Sequence, residues 1–205
     1  FLTTTTQQVL VTLIYHKPLD DQWQHHASLL SKQLNIKIIG RSRKQKMVLT
    51  DDFVIEELFV NNKHYQYQQV EASFTQPNAE VNQKMLTWAS DCLKDSRHDL
   101  VELYCGNGNF TAVLAQHFDK VLATEISKVS VNSANYNFDL NKVDNVTIAR
   151  FSSEEFTQAL NRERAFRRLA NIDLDSFNFS TIFVDPPRAG LDSGTEKLVT
   201  EMDSI

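Results

Sequence analysis

The stretch Leu100-Val101-Glu102-Leu103-Tyr104-Cys105-Gly106-Asn107-Gly108-Asn109-Phe110 constrains the fold more than any other part of the chain. A short apolar run, read as a buried strand, empties into a turn with two glycines. Thr111-Ala112-Val113-Leu114-Ala115 then opens a helix. Glycine lets the backbone turn sharply and approach a ligand with no Cβ in the way, and the helix start offers free N–H groups. Such a strand-glycine-helix unit suits a nucleotide or nucleoside-like cofactor.

The turn is not a full dinucleotide fingerprint, because G-x-G-x-x-G would need glycine or alanine at Thr111. Further on, Glu125 closes the apolar run Val121-Leu122-Ala123-Thr124. A carboxylate at the end of the second strand of such a unit can accept hydrogen bonds from ribose hydroxyls.

With 205 residues and 41% hydrophobic content, the chain can hold one large domain or two small ones around a real core. Cys92 and Cys105 make neither a disulfide framework nor a zinc quartet, and the six histidines show no H-x-x-x-H or H-E-x-x-H spacing. A reducing compartment and no metal are expected. No apolar run approaches the roughly 18 residues of a membrane span. Phe1-Leu2-Thr3-Thr4 lacks the features of a signal peptide, so a cytoplasmic protein with no membrane contact is expected. The first residue is not methionine and Glu201 to Ile205 carry no terminating feature, so a piece of a longer protein is expected.

A net charge of -5 does not advertise nucleic-acid binding. Two local basic clusters, Arg41 to Lys46 and Arg162 to Arg168, read on their own as solvated faces.

Taken in order, Gln8 to Tyr15 reads as a strand. Pro18, Asp20 and Asp21 open a helix to about Asn35, with Trp23, Leu29, Leu30 and Leu34 expected inside. Strands are predicted at Ile36–Gly40 and Lys46–Thr50, and extended structure around Tyr65, Tyr67 and Phe74. This first part is a small α+β segment with no catalytic signature. At Ser73-Phe74-Thr75-Gln76-Pro77-Asn78 the character changes. Pro77 suits a helix start, and Val81, Met85, Trp88 and Cys92 recur at helical spacing as the predicted inward face. From its position alone, Gln76 reads as a cap or turn residue.

From Leu100 the order strand, helix, strand to Glu125, helix Lys128 to Asn141, strand Val146–Ala149 describes a parallel α/β sheet, whose ligands collect beyond the carboxyl ends of the strands. Ser152-Ser153-Glu154-Glu155 forms a capping-box pattern ahead of Phe156 and Leu160. Residues 161–178 are poorly periodic and read as a surface excursion. Ser180 to Val184 is another buried strand, ending in Asp185-Pro186-Pro187-Arg188-Ala189-Gly190-Leu191. The prolines stiffen this loop and hold Asp185 at the same sheet edge as the glycine turn and Glu125.

Four blocks in order, S-F-T-Q-P-N, E-L-Y-C-G-N-G-N-F, A-T-E-I and F-V-D-P-P-R-A-G-L-D, make the chain resemble the tRNA (uracil-5-)-methyltransferase family. The resemblance implies S-adenosyl-L-methionine as cofactor. It implies an incomplete Rossmann-like methyltransferase domain over 73–205, preceded over 1–72 by part of a small α+β RNA-contacting domain. Carried over residue by residue, the cofactor contacts fall on Gln76, Tyr104, Asn109, Glu125 and Asp185. Phe74 and Arg188 are candidates for the uridine or its RNA backbone, because a flipped base needs stacking and polar edge contacts. The implied partner is the T-arm of tRNA, met by a monomer, with ribosomal RNA as the alternative substrate.

The same resemblance implies a chemistry in which a cysteine thiolate adds to carbon 6 of uracil and a glutamate later helps remove the carbon 5 proton. Both family residues lie beyond the D-P-P-R block, so no catalytic residue is expected in this chain. Cys105 sits inside the cofactor turn and Cys92 on a packed helix; each reads as a small buried hydrophobe. Two other readings stay open. One is a methyltransferase acting on an exocyclic amino group, against which Arg188 and Ala189 stand where a stacking aromatic would follow. The other is a non-catalytic RNA-binding fragment. Uncovered sheet edges also predict marginal solubility.

Overall fold

Strands that read as unbroken apolar runs belong at the centre of a parallel sheet, where crossover helices bury both faces. The computed structural model describes residues 2–71 and 73–201. In chain order these form β1 (Leu2–Thr4), β2 (Val9–Ile14), α1 (Asp21–Leu34), β3 (Lys37–Ser42), β4 (Gln45–Val48), β5 (Phe53–Val60), β6 (Lys63–Val70) and α2 (Ala79–Leu93). Then follow β7 (Asp99–Leu103), α3 (Thr111–Leu114), β8 (Val121–Thr124), α4 (Lys128–Asn141), β9 (Val146–Ala149), α5 (Ser153–Leu160), β10 (Phe179–Val184) and α6 (Ser193–Thr200). Ala72, the last residue of the first expected domain, and 202–205, the end of the second, lie outside the described residues.

The larger unit is a parallel sheet in the order β10-β7-β8-β9. The chain winds from β7 through β8 to β9 on one side, then returns to set β10 on the other side of β7. That reversal opens a crevice at the carboxyl ends of β7 and β10. The two strands end level, with Phe183 opposite Glu102 and Val184 opposite Leu103.

The β5–β6 hairpin packs onto this unit. Its Leu58, Val60, Tyr65 and Tyr67 are buried in one core with Leu86, Val113, Ala134 and Phe138. One edge of β6 is closed by side chains of α4. The Gln66 N–H donates to Asn141 Oδ1 (2.9 Å), the Gln68 N–H donates to Asn137 Oδ1 (2.7 Å), and Ser133 Oγ donates to the Gln68 carbonyl (3.2 Å). Four helical residues rise about 6 Å, close to a two-residue step of a strand, so Ser133, Asn137 and Asn141 can serve the edge as a neighbouring strand would.

The N-terminal sheet has the order β1-β2-β3-β4, with β2 and β3 parallel. It is tied to the residue following β6 by Glu71, whose carboxylate takes Arg41 Nε and Nη2 (both 2.6 Å) and Thr12 Oγ1 (3.0 Å). Lys46 pairs with Asp52 at 2.7 Å, so the first basic cluster is partly engaged by acids of its own chain. In the second cluster Arg162 pairs with Asp175 and Arg168 with Glu155, each at 2.8 Å. The surrounding excursion is anchored, with Phe166, Leu169, Ile172, Leu174 and Phe177 packed against a core containing Phe151 and Phe156.

Two helices differ in roll from the hydrophobic pattern. In α1 the buried residues are Ala27 and Ser31, whereas Leu29, Leu30 and Leu34 are exposed and Trp23 is half-buried. The roll is set by Trp23, whose ring closes over Gly40 so tightly that a Cβ there would lie 2.4 Å from Cη2. The Ser31 hydroxyl also donates to the Ile36 carbonyl. In α2 the inward residues are Asn82, Leu86, Ala89 and Ser90; Val81, Trp88 and Cys92 are exposed and Met85 is half-buried. Asn82 bonds Asn109, and Ser90 bonds His117 Nε2 at 2.8 Å. These buried polar anchors, which cannot be left unpaired, decide which face turns inward.

Candidate functional site

Each strand of the parallel sheet delivers a short segment to the same edge. β7 runs into Tyr104, Cys105 and the glycine turn; β8 into Glu125 and Ile126; β9 into Phe151, Ser152 and Ser153; β10 into Asp185, Pro186, Pro187 and Arg188. Together with Phe74, Thr75 and Gln76 from the segment before α2, they line a cavity of about 660 Å³. All seven residues singled out in the sequence, Phe74, Gln76, Tyr104, Asn109, Glu125, Asp185 and Arg188, stand on its wall. A second cavity of about 800 Å³ lies between α5 and α6 and touches none of the seven.

The turn is held rigidly. Gly106 and Gly108 both have positive φ, at +58° and +78°. Asn107 is fixed through its carbonyl, which accepts from Asn137 Nδ2 at 2.8 Å. Asn109 is fixed three ways: Asn82 Nδ2 donates to its Oδ1 (3.0 Å), its Nδ2 donates back to Asn82 Oδ1 (2.9 Å), and its carbonyl accepts from Tyr67 Oη (2.9 Å). The Asn109 amide therefore orients the turn as well as lining the cavity. Above Gly106 there is open space, with no atom within 4 Å of where a Cβ would lie.

Glu125 joins two loops. Its Oε2 accepts the Gly106 N–H (3.1 Å) and its Oε1 accepts the Ser127 N–H (2.7 Å). Each oxygen keeps lone-pair capacity for a further donor, such as a sugar hydroxyl. Asp185, across the crevice, is held above its ordinary carboxyl pKa by burial.

Glu102 is not among the residues singled out in the sequence, yet it lines the same cavity from within β7. It is 1% exposed, and its Oε2 has no hydrogen-bond partner. Burial pushes its pKa up to about 8; the Thr111 hydroxyl offsets part of this and the charge of Asp185 adds to it. The signal available in the sequence is a carboxylate inside an otherwise apolar strand, where an unpaired charge is unfavourable.

Cys105 also lines the cavity, but its thiol is buried and pushed well up by that burial and by Glu102 and Glu125. A thiol so held does not supply a thiolate near neutral pH. Cys92 is exposed on α2 and does not line the cavity. Among the described residues no group of three or more His, Cys, Asp or Glu side chains could hold a metal ion, and no helix is long and apolar enough to cross a membrane.

Comparison with known proteins agrees with this architecture. A family model described as tRNA (Uracil-5-)-methyltransferase matches residues 1–205. A tRNA/tmRNA (uracil-C(5))-methyltransferase of Saccharophagus degradans is 60% identical over 205 residues, covering 100% of this chain and 56% of that protein. One of Teredinibacter turnerae is 62% identical over the same length, again with 56% of its own length covered. The chain thus spans about half the length of these curated relatives. Among solved structures, a Pyrococcus abyssi tRNA (uracil-54, C5)-methyltransferase in complex with S-adenosyl-L-homocysteine aligns with a TM-score of 0.61 at 22% identity, over 96% of this chain and 45% of that one. This last likeness concerns the fold alone. With the whole of its length matched by one family model and by relatives near 60% identity, the chain belongs to the tRNA (uracil-5-)-methyltransferase family.

Proposed function

We propose that this chain is the cofactor-binding part of an enzyme that methylates carbon 5 of a uridine in tRNA, with S-adenosyl-L-methionine held in the sheet-edge cavity. Family membership supports the reaction class, and the names of the relatives support tRNA or tmRNA as the substrate. The observation that carries the reading is Glu125, whose carboxylate takes an N–H from each of two loops at the rim of a cavity that also holds Asp185.

Bound there, the cofactor supplies an electrophilic methyl group. Glu125 would hold its ribose hydroxyls, and the Gly106–Asn109 turn, open above Gly106, would hold its amino-acid end. Gln76, Tyr104, Asn109 and Asp185 complete the binding wall. Phe74, 76% exposed at the mouth, and Arg188 face the incoming uridine or its backbone. The partner is the T-arm of tRNA, met by a monomeric cytoplasmic protein whose 1–72 segment contacts RNA and whose 73–205 segment carries the methyltransferase fold. Neither Cys105 nor Cys92 is the nucleophile; that thiol and its partner base come from residues outside this chain.

Calorimetric titration with S-adenosyl-L-homocysteine tests the reading. The unaltered chain should bind, and Glu125→Ala and Asp185→Ala should each lose affinity. Equal binding by all three would remove the assignment of the cavity.

A further inference from the structure

Tyr104 is an aromatic residue at φ +61°, a backbone region that side chains with a bulky Cβ substituent rarely occupy. Something must hold it there. Its hydroxyl lies 2.5 Å from Ser153 Oγ and reaches Asp192 Oδ2 directly only at 3.5 Å; Ser153 in turn donates to Asp192 Oδ2 at 2.9 Å. Asp192 also takes Thr195 Oγ1 on Oδ2 (2.7 Å) and the Thr195 N–H on Oδ1 (2.9 Å), which caps α6. Burial works against the Asp192 charge, but the hydrogen bonds from Thr195 and Ser153 outweigh it and keep the carboxyl below its ordinary pKa. The chain of donors therefore runs one way, from the Tyr104 O–H through the Ser153 O–H to a carboxylate.

Tyr104 and Ser153 line the sheet-edge cavity, whereas Asp192 lines the neighbouring one between α5 and α6. The relay thus passes through the wall between the two. It also closes a loop: Asp185, at the end of β10, faces the sheet-edge cavity, and Asp192, seven residues on, is tied to Tyr104 at the end of the neighbouring strand β7.

We infer that Ser153 and Asp192 are positioning residues of the cofactor site, fixing Tyr104 in its strained backbone and fastening the 185–192 loop across the cavity. This rests on the cavity being the cofactor site. Tyr104→Phe removes the hydroxyl and keeps the ring. Asp192→Asn removes the charge and keeps an oxygen for the α6 cap. If the relay acts as one unit, breaking it at either end has the same consequence, and breaking both adds little.

The test is calorimetric titration of the full chain with S-adenosyl-L-homocysteine, comparing the unaltered protein, Glu125→Ala, Tyr104→Phe, Asp192→Asn, Ser153→Ala and the Tyr104→Phe/Asp192→Asn double variant. The expected result is a loss of about three- to tenfold in affinity for each relay variant, the scale of one hydrogen bond, with the double variant no weaker than the stronger single. A merely structural role of Asp192 at the α6 cap would make Asp192→Asn lower affinity by the same factor whether or not the Tyr104 hydroxyl is present. That would overturn the inference, as would relay variants that bind like the unaltered chain. Ser153→Ala, which leaves Asp192 and its bond to the Thr195 N–H in place, decides the matter if Asp192→Asn does not fold. If the unaltered chain itself fails to bind, the cofactor reading falls and the inference with it. If it binds and only Glu125→Ala loses affinity, the cofactor reading stands and the relay falls alone.

Discussion

Asn137, in the middle of α4 and fully buried, donates its side-chain amide to the carbonyl of Asn107 in the glycine turn at 2.8 Å. With its other end it accepts the N–H of Gln68 on β6 at 2.7 Å. One side chain thus couples the hairpin, the helix and the turn that lines the cavity. Asn137→Ala takes away the partner of the half-buried Gln68 N–H and of the buried Asn107 carbonyl. At roughly 1–3 kcal/mol for each such group, a loss of about 2–6 kcal/mol is expected in urea unfolding.

The two glycines of the turn should respond differently to alanine. At Gly106 the space is open and only the positive φ opposes a side chain, so Gly106→Ala should lower stability by about 1 kcal/mol. At Gly108 a Cβ would also lie 2.6 Å from Phe138 Cε1, a ring locked in the core. Overpacking of this kind adds about 1–3 kcal/mol, so Gly108→Ala should be clearly the less stable protein by chemical denaturation.

Glu102 makes stability depend on pH in a direction opposite to that of a salt-bridged acid. Its pKa is 4.5 ordinarily and about 8 in the fold, so between those values the folded protein holds a proton that the unfolded chain has released. Stability from this group is complete below pH 4.5 and is lost as pH rises through 8, at up to about 1.4 kcal/mol per pH unit. Glu102→Gln keeps the shape without the titration. Melting curves from about pH 5 to 9 should therefore decline less steeply for the variant, and a parallel decline would exclude Glu102 as the source.

The roll of α2 separates two neighbouring side chains. Leu86 is 0% exposed and Trp88 69% exposed. Leu86→Ala should destabilise by about 2–5 kcal/mol, whereas Trp88→Ala should fall within about 0.5 kcal/mol of the unaltered chain. The reverse order, measured by denaturant titration, would restore the inward face suggested by hydrophobic spacing.

What could be read in advance was whatever a single strand end declares. Glu125 and Asp185 each close an apolar run, and the glycine turn follows one, so their meeting at one edge follows from parallel winding. Gln76 carries no such mark. It reaches the cavity only because the segment before α2 lies over the sheet edge, a tertiary approach that local spacing does not encode. The same holds for Asn82 and Asn137, which look like ordinary helical polar residues until the turn they hold is in view. Hydrophobic periodicity failed in α1 and α2 for a related reason: a ring over Gly40 and an amide pair with Asn109 set the roll more firmly than the leucines and Trp88 could. Asp192 stands at the end of a matched block and reads only as part of it, since its partners Tyr104 and Ser153 come from two other strand ends.

The most direct test of the central claim is a structure of this chain with S-adenosyl-L-homocysteine bound. The expected result is the ligand in the sheet-edge cavity, its ribose hydroxyls on the carboxylate of Glu125 and its remaining polar groups between the glycine turn and Asp185. A ligand seated instead in the cavity between α5 and α6, or in the sheet-edge cavity without touching either carboxylate, would contradict the account.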